Sequence, residues 1–245
     1  MVILVLDEIM PTICHIFNFS LTSKTFPNAW RLANVLPIPK LSNPSLPSHY
    51  RPISILPFLS KILERIIHFQ LTLFIIRHNI LTPYQSGFRP GHSTVTALTK
   101  VFDDIRFGMD NRQVTILALL DFSNAFNTVD HEILLAILES INISTDVIDW
   151  FHSYLSGRQQ RIRIGDRYSS FCRLSAGVPQ GSVLSPLLFS IFINTVTELL
   201  TLSFHLYADD LQIYLTTPVE GIAEAIGTLN DDLCSIYLLF MIYSI

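Results

Sequence analysis

Apolar residues recur at helical spacing from position 8 to 23, with Ile9, Ile13, Ile16, Phe17 and Leu21 marking one face, before Pro27 and Trp30 break the pattern. From Ala33 to Pro57 the chain carries prolines at 37, 39, 44, 47, 52 and 57, which reads as extended and looped rather than helical. Residues 58–78 resume the helical period through Phe58, Ile62, Ile66, Phe69 and Leu73. QSGFRPGHST (85–94) is a turn-rich link, and Ser93 or Thr94 is placed to cap a helix running to about Met109.

VTILALLDF (114–122) is a β-branched and aliphatic run of strand length that ends at an acid. HEILLAILESI (131–141) predicts a helix, and 146–155 a second. Residues 158–174 alternate polar and apolar around Ile162 and Ile164, the pattern of a hairpin. Ser185-Pro186 offers a capping hydroxyl followed by proline at the first helical position. The helix it opens, PLLFSIFINTVTELL, is apolar on most sides and therefore expected at the centre of the fold. Residues 203–216 predict strand, tight turn and strand, with Tyr207–Asp210 at the tip. Helices mixed with hairpins, without a regular β-α-β alternation, predict an α+β fold.

Composition supports a well-packed chain: 49% of the 245 residues are hydrophobic and 15% charged, which excludes extensive disorder. The net charge of -4 hides an asymmetry. Residues 1–100 hold nine Lys/Arg against three Asp/Glu, and residues 101–245 hold seven against seventeen. A basic half beside an acidic half fits a polyanion held near a carboxylate site, and it fits chance nearly as well. Cys14, Cys172 and Cys234 form no CxxC, so neither a disulfide framework nor a zinc site is indicated. MVILVLDEIM lacks a basic leader, and the chain reads as intracellular and without a membrane span.

The chemistry concentrates in three acids. Asp121 ends one apolar strand, and Asp209-Asp210 sit at the turn of a later hairpin whose flanks, Leu206, Leu211, Ile213 and Leu215, look made for burial. Desolvating one unpaired carboxylate is costly, and a like charge beside it raises the cost. Either the pair lies on a solvated turn, with Asp121 as a cap, or cations meet it there. If the strands pair in one sheet, three carboxylates converge where two hard divalent ions would neutralise them, the arrangement used for in-line phosphoryl displacement. Asp103-Asp104 and Asp231-Asp232 sit in helical, polar settings and are assigned no role.

Tyr207-Ala208-Asp209-Asp210 resembles the active-site box of reverse transcriptases. LLDFSNAFNTVDH (119–131) is similar to the first catalytic box of that family, and GVPQGSVLSPLLFSIFIN (177–194) to the loop and helix between the boxes. Upstream, WRLANVLPIPK (30–40), HYRPISILPFLSKILERII (49–67) and QSGFRPGHST resemble its fingers segments. These ordered blocks carry the idiom of non-LTR (LINE-like) retrotransposons. The resemblance implies a right-hand polymerase fold: an N-terminal helical extension over 1–30, fingers over 31–112 and palm over 113–245, the palm bearing an antiparallel catalytic sheet. It implies RNA-directed DNA polymerisation, with an RNA template, a DNA primer and deoxynucleoside triphosphates as partners and two Mg²⁺ ions, or Mn²⁺, as cofactors.

By the same resemblance Asp121, Asp209 and Asp210 are the catalytic, metal-binding acids, and the Phe122 carbonyl is a further metal ligand. Phe126 matches the bulky gate beneath the sugar, Lys40 and Arg51 the cations on the triphosphate, and Gln180 the residue beside nucleotide and template. Gly177 and Gly181 would allow close backbone approach there. Arg89 and the cluster Arg158, Arg161, Arg163, Arg167 and Arg173 read equally as a phosphate track or a solvated hairpin face. The chain departs from the family where Asn124 and Asn127 replace the usual Lys and Asp, and where Asn194-Thr195 replaces Asn-Asp. LCSIYLLFMIYSI replaces the usual Trp-containing helix and thumb, which reads as a C-terminal truncation. A catalytically inactive remnant is the alternative. An aspartyl-nucleophile phosphatase is disfavoured, because it needs an acid two residues after Asp121 and position 123 is Ser.

Overall fold

The computed structural model describes residues 6–122 and 125–243. In chain order its elements are α1 (Leu6–Thr22), β1 (Leu32–Pro39), β2 (Tyr50–Ile55), α2 (Phe58–Arg77), α3 (Thr94–Asp110), β3 (Val114–Asp121) and α4 (Ala125–Thr128). There follow α5 (His131–Ser140), α6 (Thr145–Leu155), β4 (Gln159–Ile164), β5 (Arg167–Tyr168), β6 (Cys172–Arg173), α7 (Ser185–Asn194), β7 (Ser203–Tyr207), β8 (Asp210–Thr217) and α8 (Ile222–Tyr243). They gather into two compact units, each drawn from two stretches: residues 1–69 with 131–185, and 70–130 with 186–245. Helix and sheet are mixed in both, as the sequence predicts. Asn124, one of the neutral replacements noted above, lies outside the described residues.

In the first unit the proline-rich stretch is extended and looped as read, and its extended parts pair as strands on either side of a loop over 40–49. β1 pairs antiparallel with β2 over Asn34–Pro39 and parallel with β4 over Leu32–Val35. Prolines survive here because of which way their nitrogens point. The Lys40 amide donates to the His49 carbonyl across the pair, at 2.8 Å. Amides alternate along a strand, so Pro39 and Pro37 turn theirs to the other edge, which β4 has stopped covering after Val35. On β2 the Ser54 amide points outward to the Gln180 carbonyl at 2.6 Å, so Pro52 also faces away from β1. No rung of the β1–β2 ladder loses a donor. The predicted hairpin exists as β4–β5, with Arg163 opposite Tyr168 and Ile164 opposite Arg167. Behind the sheet, fully buried Phe26 stands edge-on to Trp150 and Tyr154 of α6 at 5.7 and 5.0 Å.

In the second unit β3, β8 and β7 form a three-stranded antiparallel sheet, in that order. Leu120, Leu211 and Leu206 lie in one row across it, the latter two fully buried, as the apolar flanks of the hairpin require. α3 is capped as expected: the Ser93 hydroxyl accepts from the Thr96 amide at 3.3 Å, and the Thr96 hydroxyl accepts from the Ser93 amide at 2.9 Å. The cap of α7 differs from expectation. Ser185 is already helical, and the hydroxyl of Ser182 accepts the Leu184 and Ser185 amides at 3.1 and 3.2 Å. Among the described residues no helix is long and apolar enough to cross a membrane.

In each of the remaining aspartate pairs one member is structural. Asp232, only 2% exposed, accepts the Thr201 amide and hydroxyl and the Leu202 amide, at 2.9–3.2 Å, and so ties α8 to the entry of β7. Asp104 accepts from Lys100 one turn earlier and from the Tyr214 hydroxyl at 2.5 Å, joining α3 to β8. Both interactions join elements far apart in sequence, which local pattern does not reveal.

Candidate active site

β3 ends at Asp121 and β8 begins at Asp210, and the two residues are directly opposite partners in the antiparallel ladder. Opposite residues share a face, so both carboxylates project from the same side of the sheet edge. Asp210 also faces Tyr207 across the β7–β8 hairpin, leaving Ala208 and Asp209 as a two-residue turn. The Phe122 amide donates to the Asp209 carbonyl at 3.3 Å, which fixes the turn against the end of β3. Asp121 and Asp210 are exposed and Asp209 half-buried, while Leu206, Ala208 and Leu211 are buried. The acids thus stand at the rim of an apolar sheet rather than within it. Burial first, and then the charges of Asp209 and Asp121, push the Asp210 carboxyl above the usual carboxylate value.

The turn is held by a strand-like strap. The Leu206 amide donates to the Tyr84 carbonyl and the Ser86 amide to the Leu206 carbonyl, both at 2.9 Å. Ala208 has a left-handed φ of 55°, unusual for a residue with a side chain. Gly87 lies against it so closely that any Cβ at 87 would collide with the Ala208 backbone. Below the turn, His205 Nε2 meets the Ser86 hydroxyl at 2.9 Å. Burial, followed by the charges of His92 and Lys100, holds this imidazole below its ordinary pKa.

After β3 the chain enters α4, which carries Phe126. Its ring stacks on Phe189 of α7 at 4.5 Å. The Phe122 carbonyl accepts the Ala125 amide at 3.2 Å, with one lone pair left over, and the Phe122 ring packs on Phe240 at 4.7 Å. Asp121, Phe122, Phe126, Asp209 and Asp210 therefore belong to one unit. Lys40, Arg51, Gln180 and Gly181 belong to the other.

In that unit, Lys40 follows β1 and Arg51 lies on β2; both are exposed, and neither forms an ion pair among the described residues. Gly181 has φ 111°, and its missing Cβ leaves room for the Ser54 carbonyl, which a Cβ would meet at 2.6 Å. With the Ser54–Gln180 bond this seats the Pro-Gln-Gly turn on β2. The turn is tied further by Glu64, fully buried on α2, whose Oε2 accepts the Val183 amide at 2.8 Å while its Oε1 accepts the Ser60 hydroxyl at 2.7 Å. Tyr154 and Ser182 share a hydroxyl–hydroxyl bond of 2.7 Å, and burial, then the Glu64 charge, raise the Tyr154 pKa.

Two of the arginines read as a phosphate track are engaged elsewhere. Arg158 is 2% exposed, donates to the Tyr154 carbonyl at 2.8 Å and lies 4.3 Å over the Tyr154 ring. The alternation that marks a hairpin face does not distinguish a residue at its buried entrance. Arg89 donates to the Thr82 carbonyl at 2.9 Å, bracing the strap. Arg161 and Arg163 lie over the Tyr168 ring, and Arg167 and Arg173 are exposed. Gly87, Glu64 and Asn194 carry functions in the fold that the sequence does not announce. Asn194 accepts the Thr82 amide at 2.9 Å, a structural duty. Glu64 has one signal: it is the acid of a helix whose other charged residues are basic, four residues after Ser60.

Residues 38–235 match the family described as Reverse transcriptase (RNA-dependent DNA polymerase). The chain belongs to the reverse transcriptase family. Among its relatives, the probable RNA-directed DNA polymerase from transposon BS of Drosophila melanogaster is 35% identical over 209 residues, 85% of this chain and 23% of that protein. The corresponding protein of transposon X-element is 31% identical over 223 residues, 91% of this chain and 23% of its own length. The RNA-directed DNA polymerase from mobile element jockey of the same species is 34% identical, over 76% of this chain and 20% of the relative. The chain thus spans about a quarter or less of these reverse transcriptases. In structure it resembles apo telomerase from Candida tropicalis, with a TM-score of 0.60 at 14% identity over 84% of this chain and 46% of that one. Telomerase from Candida albicans gives 0.54 at 12%, over 84% and 41%. The fold is therefore of the polymerase kind.

Reverse transcriptases generally work with divalent metal ions. Among the described residues no three His, Cys, Asp or Glu side chains are already drawn into a metal cage. The donor chemistry nevertheless fits. The three acids offer hard oxygen donors, and Asp210, raised first by burial and then by the charges of Asp209 and Asp121, is a carboxylate whose ionised form a divalent cation would favour.

Proposed function

We propose that this chain carries RNA-directed DNA polymerisation, extending a DNA primer on an RNA template with deoxynucleoside triphosphates. The observation that carries the reading is the pairing of Asp121 with Asp210 at one sheet edge, beside Asp209. In this reading residues 31–112 act as fingers and 113–245 as palm, after a helical extension over 1–30.

Asp121, Asp209, Asp210 and the Phe122 carbonyl hold two Mg²⁺ ions, with Mn²⁺ as a substitute. Ions held there would supply Lewis acidity that favours ionisation of the primer 3′-hydroxyl and positive charge to offset that of the leaving pyrophosphate. Lys40 and Arg51 grip the triphosphate through charge-assisted hydrogen bonds. Gln180 and Gly181 lie beside the nucleotide and template, where the backbone seat on Ser54 supports a fixed turn. Phe126 sits beneath the sugar and rejects a 2′-hydroxyl. Template sequence is read by base pairing, so protein contacts serve shape and backbone only.

Primer extension on an RNA template with Mg²⁺ tests the reading, comparing the chain with Asp209→Asn. The substitution is expected to cost at least about a hundredfold in rate. Equal extension by both proteins would sink it.

A further inference from the structure

Phe88 has a left-handed φ of 56°. Such a conformation is costly for an aromatic residue and natural for Gly or Asn, so the turn alone does not account for a phenylalanine there. Its surroundings enforce the conformation from both sides. Gly87 is seated against the Ala208 backbone, Ser86 is bonded to Leu206, and the Arg89 guanidinium holds the Thr82 carbonyl. Backbone strain maintained in this way points to a use for the side chain.

The ring shows what that use is. It stands edge-on to Phe126, with centroids 5.9 Å apart and planes at 87°. The opposite support of Phe126 is Phe189, stacked at 22° and 1% exposed. Phe126 is therefore clasped between a buried aromatic and Phe88, which is 49% exposed. Phe189 is fixed by the core. Phe88 is the removable half of the clasp, and with it gone the Phe126 ring has open space on one side.

We propose that Phe88 is a positioning residue for sugar selection, setting the Phe126 ring where it obstructs a ribose 2′-hydroxyl. This rests on the reading of Phe126 as the sugar gate. Loss of the Phe88 ring lets Phe126 tilt, and the site then admits ribonucleotides without losing its grip on deoxynucleotides.

The test compares three variants of the chain: Phe88→Gly, which suits the left-handed backbone but removes the ring; Phe88→Tyr, which keeps the ring; and Phe126→Val. Two ratios are measured, ribo- over deoxynucleoside triphosphate kcat/KM in primer extension, and the same ratio of affinities at equilibrium with calcium. Ratios do not depend on the fraction of protein folded, so a merely structural role would leave them unchanged. Phe126→Val is expected to raise the ribonucleotide share most. Phe88→Gly should raise it about tenfold, Phe88→Tyr should leave it near the parent value, and Phe88→Gly should add nothing to Phe126→Val. An unchanged ratio in Phe88→Gly, with Phe126→Val relaxed, overturns the inference and leaves the gate standing. An unchanged ratio in Phe126→Val overturns both. If the parent chain extends no primer, the binding ratios decide alone, and equal affinity for the two sugars in the parent overturns both.

Discussion

Gly87 and Ala208 touch through their backbones: a Cβ built on Gly87 would stand 2.0 Å from the Ala208 nitrogen and 2.6 Å from its Cα. Neither atom can swing aside as a side-chain tip would. Gly87→Ala must therefore displace the strap, the turn carrying Asp209, or both. Overpacking of this kind costs about 1–3 kcal/mol. A thermal melt should register about 2–4 °C lower per kcal/mol. Primer extension should fall for deoxy- and ribonucleotides alike, unlike the Phe88 variants. A variant with parental melting and parental rate would contradict this close approach.

Glu64 makes two hydrogen bonds from full burial, one to Ser60 and one to the Val183 amide. Glu64→Gln keeps the shape and both contacts: its carbonyl oxygen can accept the Val183 amide while its NH₂ donates to the Ser60 hydroxyl, which turns to accept. The cost should be no more than about 1.5 kcal/mol, the worth of one hydrogen bond. Glu64→Ala leaves both donors and a cavity, so its urea midpoint should lie below that of Glu64→Gln. The reverse order would show that the carboxylate is not what seats the Pro-Gln-Gly turn.

His205 gives a pH dependence with a definite sign. Its folded pKa lies below the ordinary 6.5, first through burial and then through the His92 and Lys100 charges. The unfolded chain therefore binds the proton more readily, and the contribution of His205 is complete above pH 6.5. It is lost as pH falls below that value toward the lower folded pKa. Urea midpoints measured at pH 7.5 and 5.5 should show the chain weaker at the lower pH, and His205→Asn should narrow the gap. A gap of equal size in the variant would remove His205 as its source.

The hairpin arginines separate into two kinds. Arg158 is buried among Tyr154 and Phe26, so Arg158→Ala should cost about 3–5 kcal/mol, like truncation of a large core side chain. Arg167 is exposed, and Arg167→Ala should alter stability by no more than about 0.5 kcal/mol. RNA retention across a salt series should show the opposite ranking for Arg167. Its removal should make the slope shallower by about one unit, the change expected when one phosphate is no longer neutralised. Equal urea midpoints for the two variants would refute the division.

The elements legible in the sequence are those whose signal is local. The helical period places α2 and α5, the Ser93 cap places α3, and apolar runs ending at Asp121 and at Asp209-Asp210 place β3, β7 and β8. The tertiary facts are not legible, because each joins distant positions. Parallel pairing sets Asn34 beside Arg161, and no local pattern encodes a rung between them. Prolines at 37, 39 and 52 argue against strands, and what overrides them is the outward direction of their nitrogens, a property of register. The three acids can be named from their motifs, but Gly87 reads as one more turn glycine until its neighbour is known.

Those same prolines bear on how the chain behaves in company. Leu36, Ile38 and Ile55 are 38%, 44% and 46% exposed along the β1–β2 ribbon, the kind of apolar border onto which a second chain would add a strand. A newcomer needs outward amides; on the uncovered part of the β1 edge it finds pyrrolidine rings at 37 and 39, and on the opposite edge, along β2, one at 52. Strand addition is thereby discouraged on both edges of the ribbon, at two points on one and at one point on the other.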